Sequence, residues 1–266
     1  MTSRRATCQV ATTSNTSVQT FRVLSASAPG YLHVQDQLPC QDKYAYRELQ
    51  GGVLAVALAD GAGSASEAEA GAELAVRVAV ETLANLIEED HALPGHAPLT
   101  LALHDAWAAI HARAEQQGVP ISVFACTMLV LLATREQVCS LQIGDGAIVI
   151  RARDRSLRRL GAAQRGEFVN QAPMLTTPGA IEHAVRARWN GAWSELVALT
   201  DGLELLSMTP GSKEPHGPFF HPLLDFAATT VDPDQAKDEL RHFLTTPPIS
   251  EIADDDRALV LAVPLG

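Results

Sequence analysis

Basic residues are scarce in this chain: 20 Lys and Arg stand against 31 Asp and Glu, a formal net charge of −11 at pH 7. A surface of that sign repels a phosphate backbone and argues against a nucleic-acid partner. Cysteine is scarce too. The four present (Cys8, Cys40, Cys126, Cys139) never fall in a CxxC pair, and Cys126 lies inside an apolar run. Reduced thiols of a cytoplasmic protein are expected, rather than zinc ligands or a disulfide framework. No apolar run approaches the length of a membrane span, so no membrane partner is expected. Residues 1–18 carry Arg4 and Arg5 without an apolar segment after them, and read as a polar N-terminal tail rather than a signal peptide. No Ser/Gly/Pro-rich linker or charge run divides the rest of the chain, so residues 19–266 are expected to form a single domain.

What is abundant is apolar sequence, 47% of the chain. Its central stretch is Val53-Leu54-Ala55-Val56-Ala57-Leu58-Ala59, which runs into Asp60-Gly61-Ala62-Gly63-Ser64. Seven apolar residues read as a buried strand, and the carboxylate with its glycine-rich turn ends it. An anion at the mouth of a core strand is costly unless a cation meets it. The pattern recurs at Leu199-Thr200-Asp201-Gly202 and Ile143-Gly144-Asp145-Gly146, and Asp254-Asp255-Asp256 precedes a further apolar run. One Asp-Gly alone is usually only a turn, and three adjacent aspartates suit a solvated loop. Four such carboxylate sites at strand ends, without a Cys or His cluster, point instead to hard divalent cations. Oxygen ligands select Mg²⁺ or Mn²⁺ over zinc. Asp60 is the best placed to bridge two ions, because Gly61 lets its backbone carbonyl approach as a further ligand.

In chain order, residues 20–28 read as a strand and 33–42 as a constrained approach to Asp42. A hairpin continues from 43–48 through Gln50-Gly51-Gly52. Ser64 or Ser66 suits the N-cap of a helix reaching about residue 89, and a second helix spans 99–117, closed by Gly118. His104 and His111 on that helix read as surface or half-buried residues. Residues 122–134 and 137–152 read as two long strands, with Asp145-Gly146 interrupting the second as a bulge. The arginines of 151–159 read as a solvated hairpin tip. Residues 161–188 read as loop and edge, 193–200 as a buried strand, 203–207 as the start of a helix and 210–222 as a loop. A helix over 234–244 and a strand over 258–263 complete an α+β order: two packed antiparallel sheets with helices outside them.

The motifs Ala59-Asp60-Gly61-Ala62-Gly63, Ile143-Gly144-Asp145-Gly146, Leu199-Thr200-Asp201-Gly202 and Asp255-Asp256-Arg257-Ala258-Leu259-Val260 resemble, in order, those of the metal-dependent PP2C-type Ser/Thr protein phosphatases. Pro39-Cys40-Gln41-Asp42 resembles the acidic pair near that family's N-terminus. The spelling with His33 upstream and Glu167-Phe168-Val169-Asn170 later looks like a compact bacterial branch. The resemblance covers residues 20–264. It implies a four-layer αββα sandwich with two Mg²⁺ or Mn²⁺ ions, and room for a third, at one end of the sheets. Asp60 would bridge both ions and Gly61 would offer its carbonyl, with Asp201 and Asp255 completing the first ion's shell. Asp42 would bond metal waters and Asp145 would lie by the third ion. The implied reaction is hydrolysis of phosphoserine or phosphothreonine by in-line attack of metal-activated water, without a phosphoenzyme. The implied partner is a phosphorylated protein, the product of a Ser/Thr kinase, met by a monomeric enzyme.

The chain departs from the family pattern at four positions. Ala62 stands where some members carry a histidine, Gln37 where an arginine grips phosphate, Gln41 for the usual glutamate and Ala147 for an arginine. His33 is the candidate to substitute at the phosphate. Two other readings keep the fold: a catalytically weak regulatory or phosphoprotein-binding module, and a metallohydrolase of small phosphoesters. Residues 161–188 are the candidate segment for substrate choice.

Overall fold

A computed structural model describes residues 19–89, 91, 93–161, 173–250 and 252–265. The N-terminal tail and the Glu167–Asn170 motif lie outside the described residues. The first strand, β1 (Phe21–Ala28), leads into a short helix α1 (Tyr31–Gln35) and the loop to Asp42. The hairpin β2 (Lys43–Leu49) and β3 (Val53–Ala59) comes next, then α2 (Ala68–Ala84) with a π-helical last turn at Asn85–Glu89, and α3 (His96–Gln117). Beyond them lie β4 (Met128–Ala133), β5 (Gln137–Ile143), β6 (Ala147–Ala152) and β7 (Leu157–Leu160). After the edge strand β8 (Val185–Asn190) and β9 (Trp193–Leu199), a 3₁₀ turn, Asp201–Leu203, opens α4 (Glu204–Ser207). The chain closes with α5 (Gly217–Thr229), α6 (Pro233–Leu244), α7 (Pro247–Ser250) and β10 (Arg257–Pro264).

The strands form two five-stranded antiparallel sheets, ordered β1-β10-β9-β6-β7 and β2-β3-β4-β5-β8. Strand alternation sorts the apolar residues into three layers of core. Leu54, Val56 and Leu58 of β3 meet Ile148, Ile150, Leu196 and Val260 between the sheets, where Trp193 also stacks on Phe21. The other face of β3, Val53, Ala55, Ala57 and Ala59, packs against Ala72, Val76, Leu83, Leu103 and Ile110 of α2 and α3. Outside the β1-β10-β9-β6-β7 sheet, Leu24, Val197 and Leu261 pack against Phe220, Leu224, Leu240 and Leu244 of α5 and α6. The result is the four-layer αββα sandwich. A strand covered on both faces has no room for polar residues, which is why β3 reads as an unbroken apolar run.

Several local expectations fail for physical reasons. Asp145-Gly146 is no bulge: at Gly144, Asp145 and Gly146 the chain leaves one sheet (β5) and enters the other (β6). Both glycines take positive φ, +94° and +93°, which an L side chain resists, and so they allow the reversal. Neither Ser64 nor Ser66 caps α2. Glu67 holds the N-cap position without a side-chain cap bond, and its own N–H donates to Val123 O. The expected strand over 122–134 starts only at Met128, after a 3₁₀ turn at Ile121–Phe124. The expected loop over 210–222 becomes helix from Gly217, with Pro222 inside α5. There the burial of Phe220, Leu223, Leu224 and Ala227 on one face outweighs the lost N–H.

Arg151 is not part of a solvated tip. Its side chain is 3% exposed, with Nε on Glu195 Oε2 at 2.5 Å and Nη1 on Asp225 Oδ1 at 2.6 Å. The pair binds the outer face of β6 and β9 to α5. Removing one partner from a buried ion pair strands the other charge, at a cost of about 3–5 kcal/mol. Glu195→Ala leaves the guanidinium with only Asp225, which is 48% exposed, and is expected to lower unfolding free energy by about 1–3 kcal/mol in urea titrations. The double change Arg151→Met with Glu195→Leu should cost much less. Equal losses for the two would contradict a stranded guanidinium.

Candidate metal centre

Antiparallel pairing brings the acidic strand ends to one end of the sandwich. Lys43 pairs with Ala59, so Asp42, before β2, lies beside Asp60, after β3. Leu199 pairs with both Ala147 and Leu259, so Asp201, Asp145 and Asp255 gather around the ends of β9, β6 and β10. Asp60, Asp145 and Asp201 each offer a carboxylate oxygen, all within 4.8 Å of one another. Asp255 is exposed at the margin of this trio, close enough for its charge to raise Asp60, Asp145 and Asp201. The structure thus draws Asp145 into the group and leaves Asp255 outside it.

Each carboxylate is held by the backbone around it. Thr127 brackets Asp60: its N–H donates to Asp60 O at 2.8 Å, and its Oγ1 accepts from Asp60 N–H at 3.0 Å. Gly61 forms a bridge with Cys126 and continues the strand past Asp60. Gln142 supports the Asp145 turn from below, its Nε2 donating to Asp145 O at 2.7 Å and Gly146 O at 3.2 Å. Asp42 is buried. Its Oδ2 accepts from Thr200 Oγ1 at 2.5 Å, and Thr200 in turn accepts from Ala258 N–H at 2.8 Å. The other oxygen, Asp42 Oδ1, is buried without a donor, and the Asp42 and Asp60 carboxyls lie close enough to bond each other only when they share a proton. Gly202 must be glycine, because a Cβ there would lie 1.9 Å from Asp256 O.

Asp256, rather than Asp255, is the structural centre of the aspartate run. It is 2% exposed and accepts from Gly30 N–H at 2.6 Å, Gln41 N–H at 2.5 Å and His33 Nδ1 at 2.8 Å. One carboxylate therefore clamps both ends of the segment that delivers Asp42, and fixes the His33 ring. Behind it, Arg257 is buried and donates to Pro29 O at 2.6 Å. Burial pushes that guanidinium down, while Asp256, Cys40, Asp42 and Asp255 hold it charged. Thr127, Gln142, Thr200 and Asp256 were missed by sequence reasoning. Only Asp256 carried a signal, as a member of the acidic run at 254–256.

The electrostatics call for a cation. Two carboxylates 4.8 Å apart repel by about 3–4 kcal/mol at an effective dielectric of ~20. Burial, then the other carboxylates, raises Asp201 to about 7; burial raises Asp42 to about 8, and burial with Asp42 raises Asp60 well above the usual range. Burial also lifts Asp145, with Glu204 and Asp255 adding to it. An oxygen-only donor set, an unpartnered buried Asp42 oxygen and mutual repulsion fit hard divalent cations, Mg²⁺ or Mn²⁺. Cys126 behind Asp60 is no competing ligand: burial and the Asp60 charge push its thiol up to about 12.

An all-carboxylate centre at one end of an αββα sandwich defines a class, the proteins built to hold hard divalent cations between two sheets. The protein phosphatase 2C family model matches residues 29–245. Serine/threonine-protein phosphatase 3 of Escherichia coli (strain K12) is 31% identical over 258 residues, covering 91% of this chain and 98% of that protein. Among solved structures, the catalytic domain of the serine/threonine phosphatase PstP, in complex with two manganese ions, has a TM-score of 0.57 at 16% identity. It covers 93% of this chain and 99% of that one. The S. agalactiae serine/threonine phosphatase has a TM-score of 0.62 at 13% identity, covering 92% and 100%. The chain belongs to the protein phosphatase 2C family.

The raised carboxyls set a pH dependence for the metal-free protein. A carboxyl whose folded pKa lies above its unfolded value stabilises the fold at low pH, and that contribution is lost as pH rises through the folded pKa. For Asp42 and Asp201 the loss falls between about pH 4, the unfolded value, and the folded values of about 8 and about 7. Metal-free wild type should lose melting temperature relative to Asp42→Asn as pH rises from 5 to 8. Manganese should restore more at pH 8 than at pH 5. A difference between the two proteins that stays flat with pH would contradict the burial of these carboxyls.

Proposed function

We infer that this chain hydrolyses phosphoserine and phosphothreonine in proteins, as an Mg²⁺/Mn²⁺-dependent phosphatase. The observation that carries the reading is the convergence of Asp60, Asp145 and Asp201 within 4.8 Å, with buried Asp42 beside them. When bound, two such cations make water a nucleophile at neutral pH and neutralise phosphoryl charge. The chain's part is to hold the acceptors rigidly. Asp60, the Gly61 carbonyl, Asp201 and Asp255 would hold the two ions, and Asp145 would hold a third. Asp42, with one oxygen tied to Thr200, keeps its other oxygen for a water proton and so orients the attacking water. His33, held through Nδ1 by Asp256, offers its other ring nitrogen to the substrate phosphate. We further propose that residues 19–266 act as one monomeric domain on the products of a Ser/Thr kinase. Among the described residues no helix is long and apolar enough to cross a membrane.

Removing a ligand of a cation site forfeits several kcal/mol of transition-state stabilisation. Asp60→Asn and Asp201→Asn are thus each expected to lower manganese-stimulated phosphopeptide hydrolysis about a hundredfold or more. Circular dichroism should show the fold retained. Unchanged turnover would refute the assignment, and faster turnover of small phosphate metabolites than of phosphopeptides would move it to a small-ester hydrolase.

A further inference from the structure

The sequence lacks the family's phosphate-gripping arginine, with Gln37 in its place, yet the structure pairs another cation, Lys213, with Glu204, a carboxylate whose charge reaches the acidic cluster. Glu204 stands three residues after Asp201, in the helical turn that leaves β9. Its carboxylate is among the charges that raise Asp145 and Asp201. The ammonium of Lys213 bonds Glu204 Oε1 at 2.6 Å.

The loop carrying Lys213 is fixed in that place. Lys213 N–H donates to Thr209 O at 3.0 Å, and Met208 bridges Pro215 across the loop. Arg159 of β7 donates from Nη2 to Gly146 O at 3.2 Å and from Nη1 to Lys213 O at 3.4 Å. One guanidinium thus staples the Lys213 loop to the turn that presents Asp145. Lys213 itself holds a left-handed backbone, φ +58°, a strained state for a residue with a side chain.

Among the described residues, three other cations near the centre are held by their own contacts. Lys43 donates to Cys40 O and Glu69 and is 13% exposed. Arg257 is buried on Pro29 O, and Arg159 serves two carbonyls. The Lys213 side chain is 43% exposed, and its ion-pair partner is a carboxylate that another anion can displace.

We propose that Lys213 is a phosphate-binding residue of this centre: its ammonium leaves Glu204 for the phosphate monoester of the substrate and returns when phosphate departs. The proposal rests on the phosphatase reading and adds the group that holds the substrate. Glu204 acts as an internal competitor, which keeps the lysine in position between turnovers and weakens phosphate binding. A lysine ammonium holds a phosphate oxygen as a point charge, through a charge-assisted bond roughly twice as strong as a neutral one.

The test uses the full chain loaded with manganese, with inorganic phosphate titrated by calorimetry and phosphopeptide kinetics measured alongside. Lys213→Met should weaken phosphate binding about tenfold and raise phosphopeptide KM by a similar factor, as expected for one lost charge-assisted bond. Manganese affinity should be unchanged, and Lys213→Arg should recover most of the loss. Glu204→Gln should tighten phosphate binding more in wild type than in the Lys213→Met background, the difference being the part that runs through the lysine. Unchanged phosphate affinity in Lys213→Met, or manganese affinity lost with it, overturns the proposal. A wild type that binds phosphate without turning over phosphopeptide refutes the phosphatase reading instead, and the phosphate titrations then still decide the role of Lys213.

Discussion

Like-charge repulsion is the constraint around which this molecule is built. Asp60, Asp145 and Asp201 bring carboxylate oxygens within 4.8 Å, with Asp42 buried beside them and Asp255 at the rim. No chain would hold that arrangement for stability alone, because the repulsion and the burial both oppose folding with the groups charged. Among the described residues, the buried counter-charge behind the cluster is Arg257. One guanidinium cannot balance so many carboxylates, and divalent cations can. The sandwich supplies what the cations need, two stiff sheets whose strand ends cannot drift apart.

The holding is done by neutral or already paired groups. Thr127 brackets Asp60, Gln142 supports the Asp145 turn, Thr200 takes one oxygen of Asp42, and Asp256 gathers Gly30, His33 and Gln41. None of these adds a free charge to the centre. This division separates the proposed ligands, which must stay open to the ions, from anchors, which are consumed by hydrogen bonds. It also explains why Asp255 and Asp256 take opposite roles although adjacent. Asp256 is turned into the loop before β2 and Asp255 outward toward the cluster.

Much of this was legible in the sequence because the fold repeats one device, an apolar strand ending in an aspartate. A strand covered on both faces leaves an unmistakable run, as in residues 53–59, and Asp-Gly marks where it stops. The sheet change at Gly144–Gly146 was not legible. Apolar residues on both sides of Asp145 look the same whether the chain stays in its sheet or crosses to the other. Arg151 looked like its exposed neighbours because its partners, Glu195 and Asp225, lie 44 and 74 residues away. The helix through Pro222 was hidden by proline's reputation as a breaker, although the spacing of Phe220, Leu223, Leu224 and Ala227 already suited a helix. Which aspartate of residues 254–256 points inward depends on the loop before β2, and adjacent identical residues carry no mark of it.

The most direct measurement is the anomalous scattering of manganese soaked into crystals of the wild-type protein. Two strong peaks are expected at this end of the sandwich, about 2.0–2.2 Å from carboxylate oxygens, with Asp60 ligating both ions and Asp201 at least one. Crystals that hold no manganese there, or hold it only on scattered surface carboxylates, would contradict the claim that the repulsion exists to be answered by cations.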